Sequence, residues 1–172
     1  ETAMLLMLEC SRNVIELRKI WVQDYYKAKL KTRKTTVNGK TVGIIGCGNI
    51  GSRLAVRALG MEMNVLAYDP YKKADEFPEG VEVVRDLDRI FKESDYVSLH
   101  VPNTPITRGM VNKERLEMMK PTAFLINTAR GGCVVEQDLY EACKNKTIAG
   151  AGLDAIQKEP VDPANPLLTL DN

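Results

Sequence analysis

Histidine and tryptophan each occur once in the 172 residues, phenylalanine three times and cysteine four times. A single imidazole, His100, excludes a histidine-rich metal centre. Cys10, Cys47, Cys133 and Cys143 form no CxxC pair, so their spacing suits neither a zinc site nor a disulfide framework. No metal is expected, and the thiols are expected to be reduced and separate. The longest apolar run, Ala3 to Leu8, falls far short of the roughly 20 residues that cross a bilayer. It also lacks the basic leader and small-residue cleavage site of a signal peptide. Charge of one sign is missing too. The 24 Lys+Arg and 23 Asp+Glu leave a net +1, which gives no global attraction to nucleic acid or an anionic membrane.

What remains, 44% apolar and 27% charged, is the composition of an ordinary soluble globular domain, expected to be cytoplasmic. The length suits one domain with a real core. Because the text opens at Glu1 inside a helical pattern and ends at Asn172 after a Pro-rich stretch, a piece of something longer is expected.

From Glu1 to about Lys27 there is no Gly or Pro, and Val14, Leu17, Trp21 and Ile15, Val22 recur at a helical period. Residues 25–40 then carry six Lys/Arg and no acid. With no binding motif among them, they read as a solvated linker rather than a polyanion site. Beyond Lys40 the pattern changes to short apolar runs at 41–45, 64–68, 81–84, 96–99, 123–127 and 149–153. Each is nearly continuous in apolar character, as a strand covered on both faces would be. Helical stretches lie between them, around 50–59, 87–93, 113–118 and 136–144. Strand alternating with helix implies a doubly wound parallel α/β sheet of about six strands.

The first run leads into Gly46-Cys47-Gly48-Asn49-Ile50-Gly51, a G-x-G-x-x-G between strand and helix. In that context Gly46 permits a tight turn, Gly48 admits a pyrophosphate to the backbone, and Gly51 lets the helix approach the strand. The N–H groups of Asn49 and Ile50 then meet the anion at the helix N-terminus. Asp69 ends the second run, 21 residues after Gly48. A carboxylate there accepts both hydroxyls of an adenosine ribose and repels a 2′-phosphate, so the cofactor expected is NAD. Cys47 inside the turn reads as a small filler rather than a redox thiol.

Three further motifs sit at strand ends: Ser98-Leu-His100-Val101-Pro102-Asn103-Thr104-Pro-Ile-Thr107, Asn127-Thr128-Ala129-Arg130-Gly-Gly132, and Gly150-Ala-Gly-Leu-Asp154-Ala-Ile-Gln-Lys-Glu159-Pro160. Together with the glycine turn and Tyr68-Asp69-Pro70, they make nearly the whole chain resemble the NAD-binding (Rossmann) domain of the D-isomer-specific 2-hydroxyacid dehydrogenases, in the style of D-3-phosphoglycerate dehydrogenase. The resemblance implies an oxidoreductase that transfers a hydride between NAD(H) and a D-2-hydroxy acid or 2-keto acid. It implies that residues 1–35 are an interdomain helix and linker, with an opening helix Glu1–Asn13 leading from the substrate domain, that 40–172 form the core, and that the substrate domain is absent. Arg130 would take the catalytic arginine position, gripping the carboxylate and carbonyl oxygen of the substrate. Glu159 would be the acid paired with a catalytic histidine, which in the family follows the stretch represented by residues 165–170. The chain would then be inactive alone. Asp154 would hold the nicotinamide carboxamide, with Val101, Pro102 and Thr107 lining the cofactor and Thr128 and Ala129 beside Arg130. His100 is expected at the cofactor edge, without an acid role. A homodimer through residues 1–35 is also implied.

The same motifs fit a formate dehydrogenase-type relative or an NAD(H)-sensing corepressor-like protein. Departures from the family pattern are Asn103 for a usual Leu, Val135 where Asp or Asn commonly caps a helix, and Ala155-Ile156-Gln157 for Val-Phe-x.

Overall fold

The computed structural model describes residues 1–24, 26 and 35–172. Two helices open the chain, α1 (Thr2–Arg12) and α2 (Val14–Gln23). The core then alternates β1 (Thr41–Ile45), α3 (Asn49–Gly60), β2 (Asn64–Tyr68), β3 (Glu82–Val83), α4 (Leu87–Glu93), β4 (Tyr96–Leu99), α5 (Lys113–Met118), β5 (Phe124–Asn127), α6 (Glu136–Lys144) and β6 (Gly150–Leu153). All six strands are parallel, in the order β3-β2-β1-β4-β5-β6. The expected doubly wound sheet is therefore present.

Both faces of the sheet are buried, and the two-residue strand period sorts the side chains between them. Val42, Ile44, Val65, Ala67, Tyr96 and Ile126 pack with Ala3 and Met7 of α1 and Leu54, Ala55 and Ala58 of α3. Ile45, Leu66, Val97, Leu99 and Leu125 face the other way, onto Ile90, Phe91, Leu116 and Leu139. Continuous apolar runs are what such a sheet needs.

The opening helix ends where expected, while the helical text beyond it restarts: Asn13 adopts a left-handed conformation (φ 48°, ψ 52°), ending α1 and starting α2. Asparagine tolerates that geometry better than most residues, so the break costs little. It has a consequence for burial. α1 lies against β5 and β6 with Met7 fully buried, whereas α2 leaves the sheet with Val14, Ile15, Trp21 and Val22 uncovered. The rest of the expected helix, and the part of the basic linker up to residue 34, fall outside the described residues apart from Asp24 and Tyr26. The third strand is also shorter than the 81–84 run. As an edge strand, β3 pairs only Leu66 with Glu82 and Ala67 with Val83.

One contact explains a glycine in the middle of β1. A Cβ on Gly43 would lie 2.2 Å from Ser94 Oγ and 2.6 Å from Ile90 Cγ2, so α4 crosses directly over that position. Ser94 Oγ itself is buried without a hydrogen-bond partner among the described residues. Removing an unsatisfied buried hydroxyl relieves its desolvation cost, so Ser94→Ala is expected to raise unfolding stability by about 1 kcal/mol. Urea denaturation measures it, and a loss of stability would contradict the unsatisfied state of the hydroxyl.

Candidate cofactor and substrate site

After β1 the chain moves to one side through β2 and β3, then returns to place β4 on the other side. The crevice at that switch point, beyond the carboxyl ends of the strands, is where open α/β sheets hold ligands. The glycine turn lies there. Gly46 (φ +90°) donates its N–H to Tyr68 O at 2.8 Å, and a Cβ on it would strike His100 O at 2.6 Å. A Cβ on Gly51 would meet Gly46 O at 2.1 Å. These two glycines are demanded by the protein's own packing. Gly48 is different, because nothing lies within 4 Å of where its Cβ would be. Its missing side chain leaves open space directly before α3, a helix with no side-chain cap and no acid in its first turn. Exposed N–H groups, the positive end of the helix dipole and unobstructed backbone suit a phosphate.

Asp69 stands beside this turn. Its Oδ2 accepts the Cys47 N–H and its Oδ1 the Tyr71 N–H, both at 3.0 Å. The carboxylate is thus oriented by backbone, with lone pairs left for further donors. The Cys47 side chain is fully buried beside Ser52, in keeping with a filler role. Around the crevice, Ile50, Tyr71 and Ile106 are 69%, 84% and 79% exposed. Apolar surface placed beside a phosphate turn fits the base and sugar edges of a dinucleotide.

On the β4 side, Val101 is half-buried against the turn and Pro102 is exposed. Thr107 turns its hydroxyl into its own loop, donating to Pro102 O and accepting the Thr104 N–H at 2.8 Å. His100 is anchored by its N–H to Ile45 O, and its Nε2 lies 2.9 Å from Ser98 Oγ. Burial pushes its imidazole down to about 4. At neutral pH the ring is uncharged and has no acidic proton to give, which agrees with the edge role read from the sequence.

The loops after β5 and β6 meet. Arg130 is exposed, and its guanidinium bonds only to its neighbour's carbonyl, Ala129 O, at 2.7 Å. It forms no ion pair among the described residues, so its planar fork is open to an incoming carboxylate. Thr128 and Ala129 flank it, half-buried. A Cβ on Gly131 would sit 1.9 Å from the Ile156 carbonyl, which brings the Arg130 turn into contact with the segment running from Asp154 to Glu159. Asp154 and Glu159 are both exposed, and among the described residues neither side chain forms a hydrogen bond or an ion pair. The backbone segments are thus brought together, while Arg130 and Glu159 form no ion pair with each other. Asn103, the residue that departs from Leu, stacks its carboxamide on Gly132, 2.4 Å from where a Cβ would be.

Two residues of this region were not singled out from the sequence. Glu136 accepts the Gln157 N–H and, at 3.1 Å, the Asn165 side-chain amide, tying down the segment that carries Glu159. Asn127 is almost fully buried at the end of β5. A carboxamide closing an otherwise apolar strand was the available signal for it. Val135 provides no side-chain cap to α6, as its side chain dictates. Among the described residues no group of three or more His, Cys, Asp or Glu side chains could hold a metal ion. Nor is any helix among them long and apolar enough to cross a membrane.

Comparison with known proteins agrees with this geometry. The family model of the D-isomer specific 2-hydroxyacid dehydrogenase NAD binding domain matches residues 4–172. Hydroxypyruvate reductase of Thermotoga maritima is 43% identical over 174 residues, covering 100% of this chain and 56% of its own length. D-3-phosphoglycerate dehydrogenase of Methanocaldococcus jannaschii is 41% identical over 174 residues, covering 100% of this chain and 33% of its own. Among solved structures, the NAD-dependent formate dehydrogenase of Staphylococcus aureus in complex with NAD matches with a TM-score of 0.89 at 28% identity, over 98% of this chain and 50% of that one. The chain spans between a third and just over half the length of the two curated relatives. With a phosphate turn at the switch point, an acid at the end of β2 and a match over residues 4–172, this chain belongs to the D-isomer specific 2-hydroxyacid dehydrogenases, as their NAD-binding domain.

Proposed function

We propose that these 172 residues are the cofactor half of an enzyme that interconverts a D-2-hydroxy acid and its 2-keto acid with NAD(H). The observation that carries this reading is the unpaired guanidinium of Arg130, fixed at the carboxyl edge of the sheet on the same crevice as the glycine turn. Gly48, Asn49, Ile50 and Gly51 receive the pyrophosphate, Gly46 shapes the turn, and Asp69 takes the adenosine ribose. Val101, Pro102, Thr107, Thr128 and Ala129 line the crevice. Nicotinamide bound there supplies hydride chemistry. Asp154 orients the carboxamide end, and Arg130 binds the carboxylate of the 2-keto acid and polarises its carbonyl. Glu159 stabilises the charged form of a histidine that donates the proton, and that histidine and the substrate domain belong to the full-length enzyme.

Two measurements test the assignment. Residues 1–172 are expected to bind NADH in a fluorescence titration yet reduce no 2-keto acid, whereas the full-length enzyme does both. Turnover by the 172 residues alone would overturn the division of labour.

We also propose a homodimer built on α2. Val14, Ile15 and Val22 line a cavity of about 510 Å³ together with Glu9, Arg18 and Lys19, so the apolar strip carries both signs of charge. A second copy can meet it with the same residues, as a two-fold interface requires. Val22→Glu is expected to convert the dimer to monomer in sedimentation velocity, and a dimer unaffected by that charge would place the interface elsewhere. Cytoplasmic residence is supported by the thiols. All four are free, and burial pushes Cys10 up to about 12 and Cys143 up to about 11, which keeps both protonated and unreactive.

A further inference from the structure

Asn127 joins the ends of β5 and β6 through a single side chain. It is 1% exposed. Its Oδ1 accepts the Ala129 N–H at 3.1 Å, and its Nδ2 donates to Arg130 O at 3.0 Å and to Ala155 O at 3.4 Å. Its backbone carbonyl accepts the Asp154 N–H at 2.9 Å. One carboxamide thus holds the peptide that carries Arg130 and, across the crevice floor, the peptide that follows Asp154. Both amide protons are spent, so a side chain that cannot donate two hydrogen bonds does not reproduce the link. Serine or threonine is too short to span both loops, and aspartate offers no proton at neutral pH.

We propose that Asn127 is a positioning residue of this enzyme, locking the Arg130 turn to the Asp154–Glu159 segment so that the substrate-binding guanidinium and the nicotinamide-orienting carboxylate keep one fixed separation. The proposal rests on the reading of Arg130 and Asp154 given above. Gly131 and Glu136 support the lock without replacing it. The contact of Gly131 with Ile156 is steric, and the bond of Glu136 to the Gln157 N–H lies further along the segment. Neither fixes Arg130 O, and its other donor, the Cys133 N–H at 3.2 Å, lies within the same turn and does not reach the Asp154 segment. At 1% exposure Asn127 offers almost no surface to a ligand, and it acts through the two loops. The glycine turn and Asp69 stand on other strands, so the pyrophosphate and ribose ends of the NADH site do not depend on it.

The test uses Asn127→Asp and Asn127→Ser in the full-length enzyme. Aspartate keeps the shape and the acceptor for Ala129 but loses both donors, and serine keeps a neutral short side chain. Displacing a reacting group by an ångström costs about 100-fold in rate, so kcat per NADH-titrated site is expected to fall by about that factor in both variants. The Kd for NADH should rise by less than about ten-fold, well short of the loss in kcat, because contacts to the phosphate turn are untouched. A residue that only stabilises the fold would instead reduce the number of NADH-binding sites, leaving kcat per site unchanged, and that result overturns the proposal.

Hydrogen exchange provides a readout that needs no turnover. Amides of residues 154–157 are expected to exchange about ten-fold faster in Asn127→Ser, with residues 41–51 unchanged, since loss of the bridge lowers the local opening energy. Unchanged exchange at 154–157 overturns the lock. A wild-type enzyme that binds NADH and reduces no 2-keto acid overturns the functional reading instead, and the exchange result still decides whether Asn127 couples the loops.

Discussion

Replacing Arg130 by lysine in the full-length enzyme is expected to lower kcat/KM for 2-keto acid reduction by about 10²- to 10³-fold, the cost of losing a donor aimed at developing oxyanion charge. Charge alone is preserved by this substitution. What disappears is the planar fork, which binds a carboxylate through two parallel N–H bonds while a lysine ammonium presents a single flexible point charge. The geometry separates this effect from a loss of folding. The guanidinium is exposed, pairs with no carboxylate among the described residues, and bonds only to Ala129 O. Removing it leaves no buried partner unsatisfied, so stability should change by less than about 0.5 kcal/mol, as for a surface substitution. NADH affinity should also hold, because the pyrophosphate contacts lie on β1 and α3. Steady-state kinetics paired with an NADH titration and a melting curve reads all three. A fall in kcat/KM smaller than about three-fold, under 1 kcal/mol, would remove Arg130 from substrate binding.

Asn127 sharpens this prediction. Arg130 is exposed at its tip and held at its root, where its carbonyl is tied to Asn127. A substituted lysine would start from the same root, so the Arg130→Lys loss reports the fork and the Asn127 loss reports the placement. The two are expected to be less than additive, since both act on one interaction.

Much of this arrangement is legible in the sequence, and what is not has physical causes. Strands covered on both faces must be apolar at every position, so β1, β2 and β4 stand out from their surroundings. The helices that return between them are framed by residues that cannot lie in a strand for long. Asp86 and Asn112 even cap α4 and α5 through their own side chains, accepting the N–H groups of Asp88 and Arg115. The glycine turn is readable because two of its three glycines answer to local crowding, and crowding repeats in every protein with the same turn. The separate course of α2 is harder. The apolar period runs on past Asn13, and the left-handed residue there lets α1 lie on β5 and β6 while α2 leaves the sheet. β3 shrinks for a similar reason: only β2 offers it a partner. Asn127 and Glu136 escape notice because their bonds reach 28 and 21 residues along the chain, to Ala155 and Gln157. Hydrogen bonds between loops leave no period behind. Their only trace is a polar side chain placed where apolar ones surround it.

Asp69 carries the second large prediction, the choice between NADH and NADPH. Asp69→Asn is expected to lower the preference for NADH by about 100-fold, because a like-charge contact with a 2′-phosphate costs several kcal/mol and the substitution removes it. The surroundings decide how much of that change is a gain for NADPH. Arg53, Arg57 and Lys72 line a cavity of about 430 Å³ beside Gly48 and Asn49, close to the carboxylate but with no acid among the lining residues. Among the described residues none of the three pairs with a carboxylate, so their positive charge can meet a 2′-phosphate that Asp69 no longer repels. Asparagine is the right probe because Asp69 has a second duty. Its two oxygens hold the Cys47 and Tyr71 N–H groups. Alanine would release both and loosen the glycine turn, weakening NADH and NADPH alike, so a loss without a change of preference is its signature. Asparagine keeps one acceptor and the shape of the side chain. Titrating each variant with both dinucleotides separates the carboxylate's charge from its grip on the turn. If wild-type protein binds NADPH as tightly as NADH, or if Asp69→Asn leaves their ratio unchanged, the carboxylate does not select the cofactor.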